Sequence, residues 1–233
     1  MRTRDGLDDL IDRHGPDTII AAMRPLLTDD RMARIEAVLD ARLGGLTVVL
    51  ENLYDPHNGA AALRSAEAFG LATVHAVETS GAFSASASIT IGSDKWLDLH
   101  RHKDIAGATA ALRRRGFMLA AAVPSATAML DDVPGEQPLA LWFGNEHLGL
   151  TQAAISACDL QVGIPMFGFT RSFNLSVSVA LLTARAAERR RAALGRAGDL
   201  PVEERAYRRA RWYAQDIRGA AEIIDRYVSG RTR

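Results

Sequence analysis

One cysteine in 233 residues rules out an intramolecular disulfide and a cysteine-ligated zinc site. Cys158 lies in a stretch of helical periodicity, where burial is its ordinary role. Long apolar runs are equally missing. None approaches the roughly 20 residues of a membrane helix, and the opening Met1-Arg2-Thr3-Arg4-Asp5 has no apolar leader core. The expectation is a soluble protein of the reducing cytoplasm. Net charge is absent too: Lys+Arg and Asp+Glu each total 28, so bulk electrostatics gives no reason to expect a nucleic-acid or membrane partner. No Gly-x-Gly-x-x-Gly follows the first strand-like run, Leu46 to Leu53, which argues against a dinucleotide-dependent oxidoreductase. His100 and His102 flank Arg101 without a third clustered ligand, and a solvated strand end explains them better than a metal site does.

What is present is enough apolar residue, 48%, for one ample α/β core with appendages. The zero charge conceals an asymmetry. From Arg185 onward there are 13 Arg against 7 acids, a net of +6, which leaves the first 184 residues at −6. The arginines of the final stretch are interleaved with Tyr207, Trp212 and Tyr213, a mixture able to grip phosphates and stack on bases. The same aromatics, with Ile223, Ile224 and Tyr227, can instead dock the helix on the core or on a second subunit.

Residues 1–44 read as helices broken at Gly15-Pro16 and Pro25. In the last of them Thr28 is an N-cap, Met32, Ile35, Val38, Leu39 and Leu43 recur at helical spacing, and Gly44-Gly45 is the stop. From Leu46 short apolar runs alternate with helical segments, the pattern of a mostly parallel sheet covered by helices. Strands are expected near 46–53, 72–78, 96–100, 117–123, 138–143 and 160–165, and helices near 58–69, 104–115, 151–157 and 174–193. Between the second and third strands, Ser80 to Ser88 is small and polar enough for a loop, either a linker or one that closes on a substrate.

Three segments carry chemistry. The first, 52–70, follows a strand and opens a helix that Asn58 can cap and Gly70 can end. On that helix Arg64 is surrounded by Ala60, Ala61, Glu67 and Ala68, so its guanidinium is accessible to another molecule. The second, 139–151, is an apolar strand ending in Gly144 and Glu146, where ligands of open α/β sheets sit. The third, 162–182, runs from a strand through a Pro- and Gly-containing loop into Ser172, Asn174 and Ser176. These begin a long helix whose free N–H groups favour polar ligands.

In this order and at these separations the segments resemble the three motifs of the SpoU/TrmH family, within the SPOUT class of methyltransferases. The resemblance covers about Leu46 to Arg191. It implies an α/β fold: a SPOUT-type parallel sheet whose C-terminal portion is tied into a deep trefoil knot, flanked by N- and C-terminal helical extensions. The expected divisions are 1–44, 45–194 and 195–233. It implies S-adenosyl-L-methionine as cofactor, lying against Ala122, Gly144, Ile164, Met166 and Phe173, with Glu146 supporting that pocket or the RNA beside it. Arg64 matches the family's catalytic arginine, and Asn58, Ser172 and Asn174 match the residues that orient it. A homodimer is implied, in which each arginine serves the other subunit's cofactor and Val177, Ala180, Leu181 and Ala184 pack the long helices together.

The implied reaction is methylation of a ribose 2′-hydroxyl in RNA, with tRNA favoured over ribosomal RNA because the extensions resemble those of enzymes acting on a D-loop guanosine. Two departures stand out. Ser-Phe-Asn-Leu-Ser replaces the commoner Ser-Leu-Asn-Val-Ser, and Gly59-Ala60 replaces a larger residue and Ser. A non-catalytic RNA-binding protein on the same fold is the rival from another class. Retention of Asn58, Arg64, Glu146, Ser172 and Asn174 argues against it.

Overall fold

A computed structural model describes residues 6–79, 95–215 and 217–231; the expected loop Ser80 to Ser88 lies outside the described residues. The chain divides into two compact units. One runs from Leu43 to Ala197, and the other combines the segments before Leu43 and after Ala197. The terminal stretches, separate in the sequence, thus share one helical unit.

The first unit is built on β1 (Leu43–Glu51), β2 (Leu71–Val77), β3 (Asp98–His102), β4 (Met118–Ala122), β5 (Ala128–Met129), β6 (Leu139–Phe143) and β7 (Leu160–Gly163). All neighbouring pairs are parallel. The seven strands lie in the order β3-β2-β1-β6-β4-β7-β5. Six of them answer to the expected runs. The seventh, β5, is two residues long, too short to leave a periodic signal.

Alternation along the strands divides the core. Leu46, Val48, Leu50, Leu139, Leu141 and Phe143 join the cluster covered by α4 (Pro56–Ala68) and α7 (Leu175–Leu194). Val49, Ala140 and Trp142 join the one covered by α5 (Ile105–Arg114) and α6 (Gln152–Ala157). Burial on both faces is why these strands read as unbroken apolar runs. The chain first builds outward from β1 to β2 and β3, then crosses back to β4 beyond β6. The order therefore reverses beside β1, and the carboxyl ends of β4, β6 and β7 flank a place where such sheets hold ligands.

Two local expectations are corrected. The helix ahead of the sheet, α3 (Asp29–Asp40), stops before Leu43 instead of running to Gly44-Gly45. Leu43 N bonds Gly70 O at 2.7 Å, so the two glycines lie inside β1, where the register against β2 shifts between Leu43 and Thr47. Glycine tolerates such a bulge, and pairing with β2 outweighs helix propagation. Likewise α4 is capped by Asp55, whose Oδ1 accepts from His57 N at 2.9 Å, with Pro56 at the first helical position. Asn58 thus falls within the first turn, and its amide is available for other contacts.

In the second unit α8 (Val202–Gln215) packs on α1 (Gly6–His14), α2 (Pro16–Met23) and α3, while α9 (Ala220–Arg231) packs on α1 and α2. Thr28 caps α3 as expected, accepting from Arg31 N at 3.2 Å. Trp212 and Ile224 are buried. The α8 arginines are engaged with acids: Arg209 bonds Glu36 at 2.5 and 2.6 Å, Arg205 contacts Glu36 and Asp40, Arg208 contacts Glu204, and Arg211 contacts Asp8. The hydrogen bond from Arg209, aided by Arg205, holds the Glu36 carboxyl below its ordinary range. Of the two readings of this basic helix, packing accounts for these side chains.

Candidate active site

The carboxyl ends of β4, β6 and β7 open onto a cleft of about 350 Å³. Ala122, Gly144, Glu146, Ile164, Met166, Phe173 and Ser172 all line it. Seven of the ten residues singled out from the sequence are thereby brought together. Arg64, Asn58 and Asn174 are not among the lining residues. Sequence reasoning missed others that are, notably Pro124, His147, Arg171 and Ser178. Pro124, two residues past a strand, was the one signal available for them.

One wall is the turn after β6. A Cβ placed on Gly144 would stand 1.9 Å from Gly149 C and 2.0 Å from Leu150 N, so only glycine lets the returning backbone cross here. Asn145 braces the turn: its Oδ1 accepts from His147 N at 2.9 Å and Leu148 N at 2.7 Å, and its carbonyl accepts from Gly149 N at 3.0 Å. Gly149 closes the turn at φ +68°, in the left-handed region.

Behind that wall runs a polar relay. Asn58 Nδ2 donates to Glu146 Oε1 at 2.7 Å, and Asn174 Nδ2 donates to Asn58 Oδ1 at 3.1 Å. Asn174 Oδ1 in turn accepts from Ser176 N at 2.8 Å and Ser176 Oγ at 2.6 Å, which makes Asn174 the N-cap of α7. The relay fixes the Glu146 carboxylate between α4 and α7. Its Oε2 is buried and has no hydrogen-bond partner among the described residues. A buried acceptor left open is costly, so this atom is suited to an N–H or O–H of a bound molecule.

Arg64 stands apart. It is exposed on α4 and makes no hydrogen bond or ion pair among the described residues. In the single chain Asn58 and Asn174 bond each other and Glu146, not the guanidinium. A further anchor had no signature in the sequence. The buried Glu51 carboxylate at the end of β1 accepts from Thr151 N at 2.9 Å and Thr151 Oγ1 at 2.7 Å, which ties the start of α6 to the sheet.

His100 and His102 are not the solvated strand end expected of them. Register pairs His75 with His100, and His75 stacks on His100 at 4.9 Å and on His102 at 5.1 Å between ring centroids. His75 Nδ1 and His102 Nε2 share a hydrogen bond of 2.8 Å. Among the described residues no group of three or more His, Cys, Asp or Glu can hold a metal ion. Burial, then the neighbouring rings, push His75 down to about 2; burial pushes His100 down to about 4.

Both histidines are neutral in the fold, while the unfolded chain takes up their protons below about pH 6.5. Stability should therefore be full above pH 6.5 and fall as the pH drops toward 4, by up to roughly 1.4 kcal/mol per pH unit for each excluded proton. Urea unfolding across that range tests this. His75→Phe should flatten the slope by about one proton, and an unchanged slope would place the acid sensitivity elsewhere. Burial likewise pushes the Cys158 thiol up to about 12, so it stays protonated and is no nucleophile at neutral pH.

Residues 45–184 match the SpoU rRNA Methylase family. A tRNA (guanosine(18)-2'-O)-methyltransferase of Borreliella burgdorferi is 35% identical over 164 residues, covering 70% of this chain and 75% of that one. The enzyme of the same name from Thermus thermophilus is 37% identical over 169 residues, covering 70% and 84%. Among solved structures, the A. aeolicus TrmH/SpoU tRNA modifying enzyme aligns with a TM-score of 0.71 at 26% identity, over 82% of this chain and 98% of that chain. A family match over more than half the chain, with relatives above 30% identity across most of their own length, makes this chain a member of the SpoU rRNA Methylase family.

Proposed function

We propose that this protein methylates the 2′-hydroxyl of a ribose in RNA with S-adenosyl-L-methionine as donor, and that its substrate is tRNA, at the D-loop guanosine of position 18. The observation that carries the reading is the cleft itself. Residues following β4, following β6 and running from β7 into α7 line one cavity at the strand ends, with Glu146, whose buried Oε2 lacks a partner among the described residues, on its wall. The names of the relatives supply the substrate.

The residues present fit the cofactor. Ala122, Ile164 and Met166 offer an apolar slot, Glu146 Oε2 an acceptor for a donor group, and the volume lies in the range of small-molecule sites. When bound, S-adenosyl-L-methionine supplies an electrophilic methyl group on sulfonium. The chain's own contribution is to hold the ribose hydroxyl in line, exclude water, and stabilise the charge that develops as the hydroxyl oxygen loses its proton. We assign that stabilisation to Arg64. A guanidinium remains charged in proteins and suits an oxyanion better than it suits proton abstraction. A phosphate of the substrate beside it can help take the proton.

Since Arg64 does not line its own cleft, the site is completed in this reading by a second copy of the chain. Val177 and Leu181 are about 40% exposed on α7, with Ala180 and Ala184 half-buried on the same helix; this apolar strip is suited to pack on itself. Threading of the chain around the cleft as a trefoil knot belongs to the same reading, as do the divisions at 44 and 194 and a cytoplasmic location. Among the described residues no helix is long and apolar enough to cross a membrane.

Incubation of unmodified tRNA with protein and cofactor, followed by mass-spectrometric mapping, tests the assignment. One added methyl on the D-loop guanosine ribose is expected. Methylation confined to ribosomal RNA, or cofactor binding with no transfer to any RNA, would overturn it.

A further inference from the structure

Two paired aromatic rings, one of them on the lining of the cleft, have no part in the relay or in the hydrophobic core. Tyr54, just ahead of α4, is 75% exposed. His147 is exposed on the turn after β6 and lines the cleft. Their ring centroids are 5.3 Å apart at an interplanar angle of 71°, an edge-to-face pair. The backbone beside each ring is anchored. His147 N is fixed by Asn145 Oδ1 at 2.9 Å, and Asp55, the residue after Tyr54, is fixed as the cap of α4. Arg171, exposed on the lining of the same cleft, forms no ion pair among the described residues.

Exposed aromatic rings at a cleft that also carries a cationic side chain suit an unstacked nucleotide, whose base takes the ring face and whose phosphate takes the charge. A ribose that is to be methylated must also be held still, and its base is the largest handle available.

Resting on the proposed RNA methylation, we infer that Tyr54 and His147 form a stacking platform for a base of the substrate strand, at or beside the nucleotide that is methylated, with Arg171 contacting a phosphate next to it. The pair positions RNA, and Tyr54, which does not line the cleft, takes no part in binding the cofactor. The ring face of Tyr54 is what matters, and its hydroxyl is dispensable.

Kinetics with an unmodified tRNA transcript, calorimetric titration with S-adenosyl-L-methionine and light scattering, all on the same variants, test this. Tyr54→Ala should raise KM for the tRNA roughly 5- to 100-fold, as loss of one base stack does, with kcat changed less. Tyr54→Phe should match the wild type. His147→Ala should raise KM by a smaller factor, and His147→Phe should restore it. The dependence of affinity on salt should keep its slope in Tyr54→Ala, whereas Arg171→Gln should lower it by about one phosphate contact.

An unchanged KM in Tyr54→Ala, weakened cofactor binding in that variant, or a change in its oligomeric state would overturn the platform. The last two would assign the ring to the cofactor or to contact between subunits. If the wild type methylates the transcript and Tyr54→Ala equals it, only the platform fails. If the wild type neither binds nor methylates RNA, the proposed function fails and takes the platform with it.

Discussion

Arg64→Ala is expected to lower kcat for RNA methylation by about 10²- to 10³-fold or more, the loss typical of a removed oxyanion donor, with cofactor affinity unchanged. The cofactor cleft is lined without Arg64, so calorimetry should register wild-type binding of S-adenosyl-L-methionine. In the proposed reading, turnover falls because the charge that stabilises the developing oxyanion is lost. Arg64→Lys keeps the charge and loses the planar fork, and should recover only part of the rate.

The proposed sharing of the site between two copies of the chain adds a sharper consequence. A mixture of the Arg64→Ala protein with one disabled in the cleft, re-formed from subunits, should regain roughly a quarter of wild-type activity, because half the dimers are mixed and each then holds one complete site. Recovery of none would place Arg64 in the service of its own chain. Wild-type turnover in Arg64→Ala alone would remove it from catalysis altogether.

The separation of Arg64 from the cleft also marks how far the sequence could be read. Gly144, Glu146 and Ser172 are legible because strand, turn and helix start follow each other locally, and local order leaves patterns, whereas Phe173 enters only through the family resemblance. Asn58 was legible as a polar residue at a helix start but not in its role. Pro56 and Asp55 took over the cap, which sent its amide to Glu146, 88 residues away. Glu51 and Thr151, 100 residues apart, meet only because β1 and β6 are neighbours in the sheet. The His75, His100 and His102 stack depends on a strand register that no single strand encodes. The basic final stretch leaves phosphate contact and packing equally open in the sequence, and the acids of α1 and α3 that meet α8, nearly 200 residues earlier, favour packing for that helix. Contacts set by topology are the ones that one-dimensional periodicity cannot express.

Gly144→Ala should abolish cofactor binding while the neighbouring Gly149→Ala largely preserves it. The two glycines differ in what a methyl group would meet. At Gly144 the added carbon lies 1.9 to 2.1 Å from Gly149 C, Gly149 O and Leu150 N, all backbone, so no side chain can swing aside and the 144–149 turn must move. Overpacking of this kind costs about 1–3 kcal/mol, and the displacement falls on the wall that presents Glu146 to the cleft. The relay from Asn58 would lose its acceptor geometry at the same moment. At Gly149 a Cβ meets nothing within 4 Å, and the difficulty is only its φ of +68°. That conformation costs a non-glycine residue roughly 1–2 kcal/mol but leaves the turn where it is. Calorimetric titration with S-adenosyl-L-methionine and thermal unfolding of both variants separate the two effects. Binding lost in Gly144→Ala with the fold retained, and kept in Gly149→Ala, is the expected pair of results. Undiminished affinity in Gly144→Ala would mean that the cofactor does not use this wall.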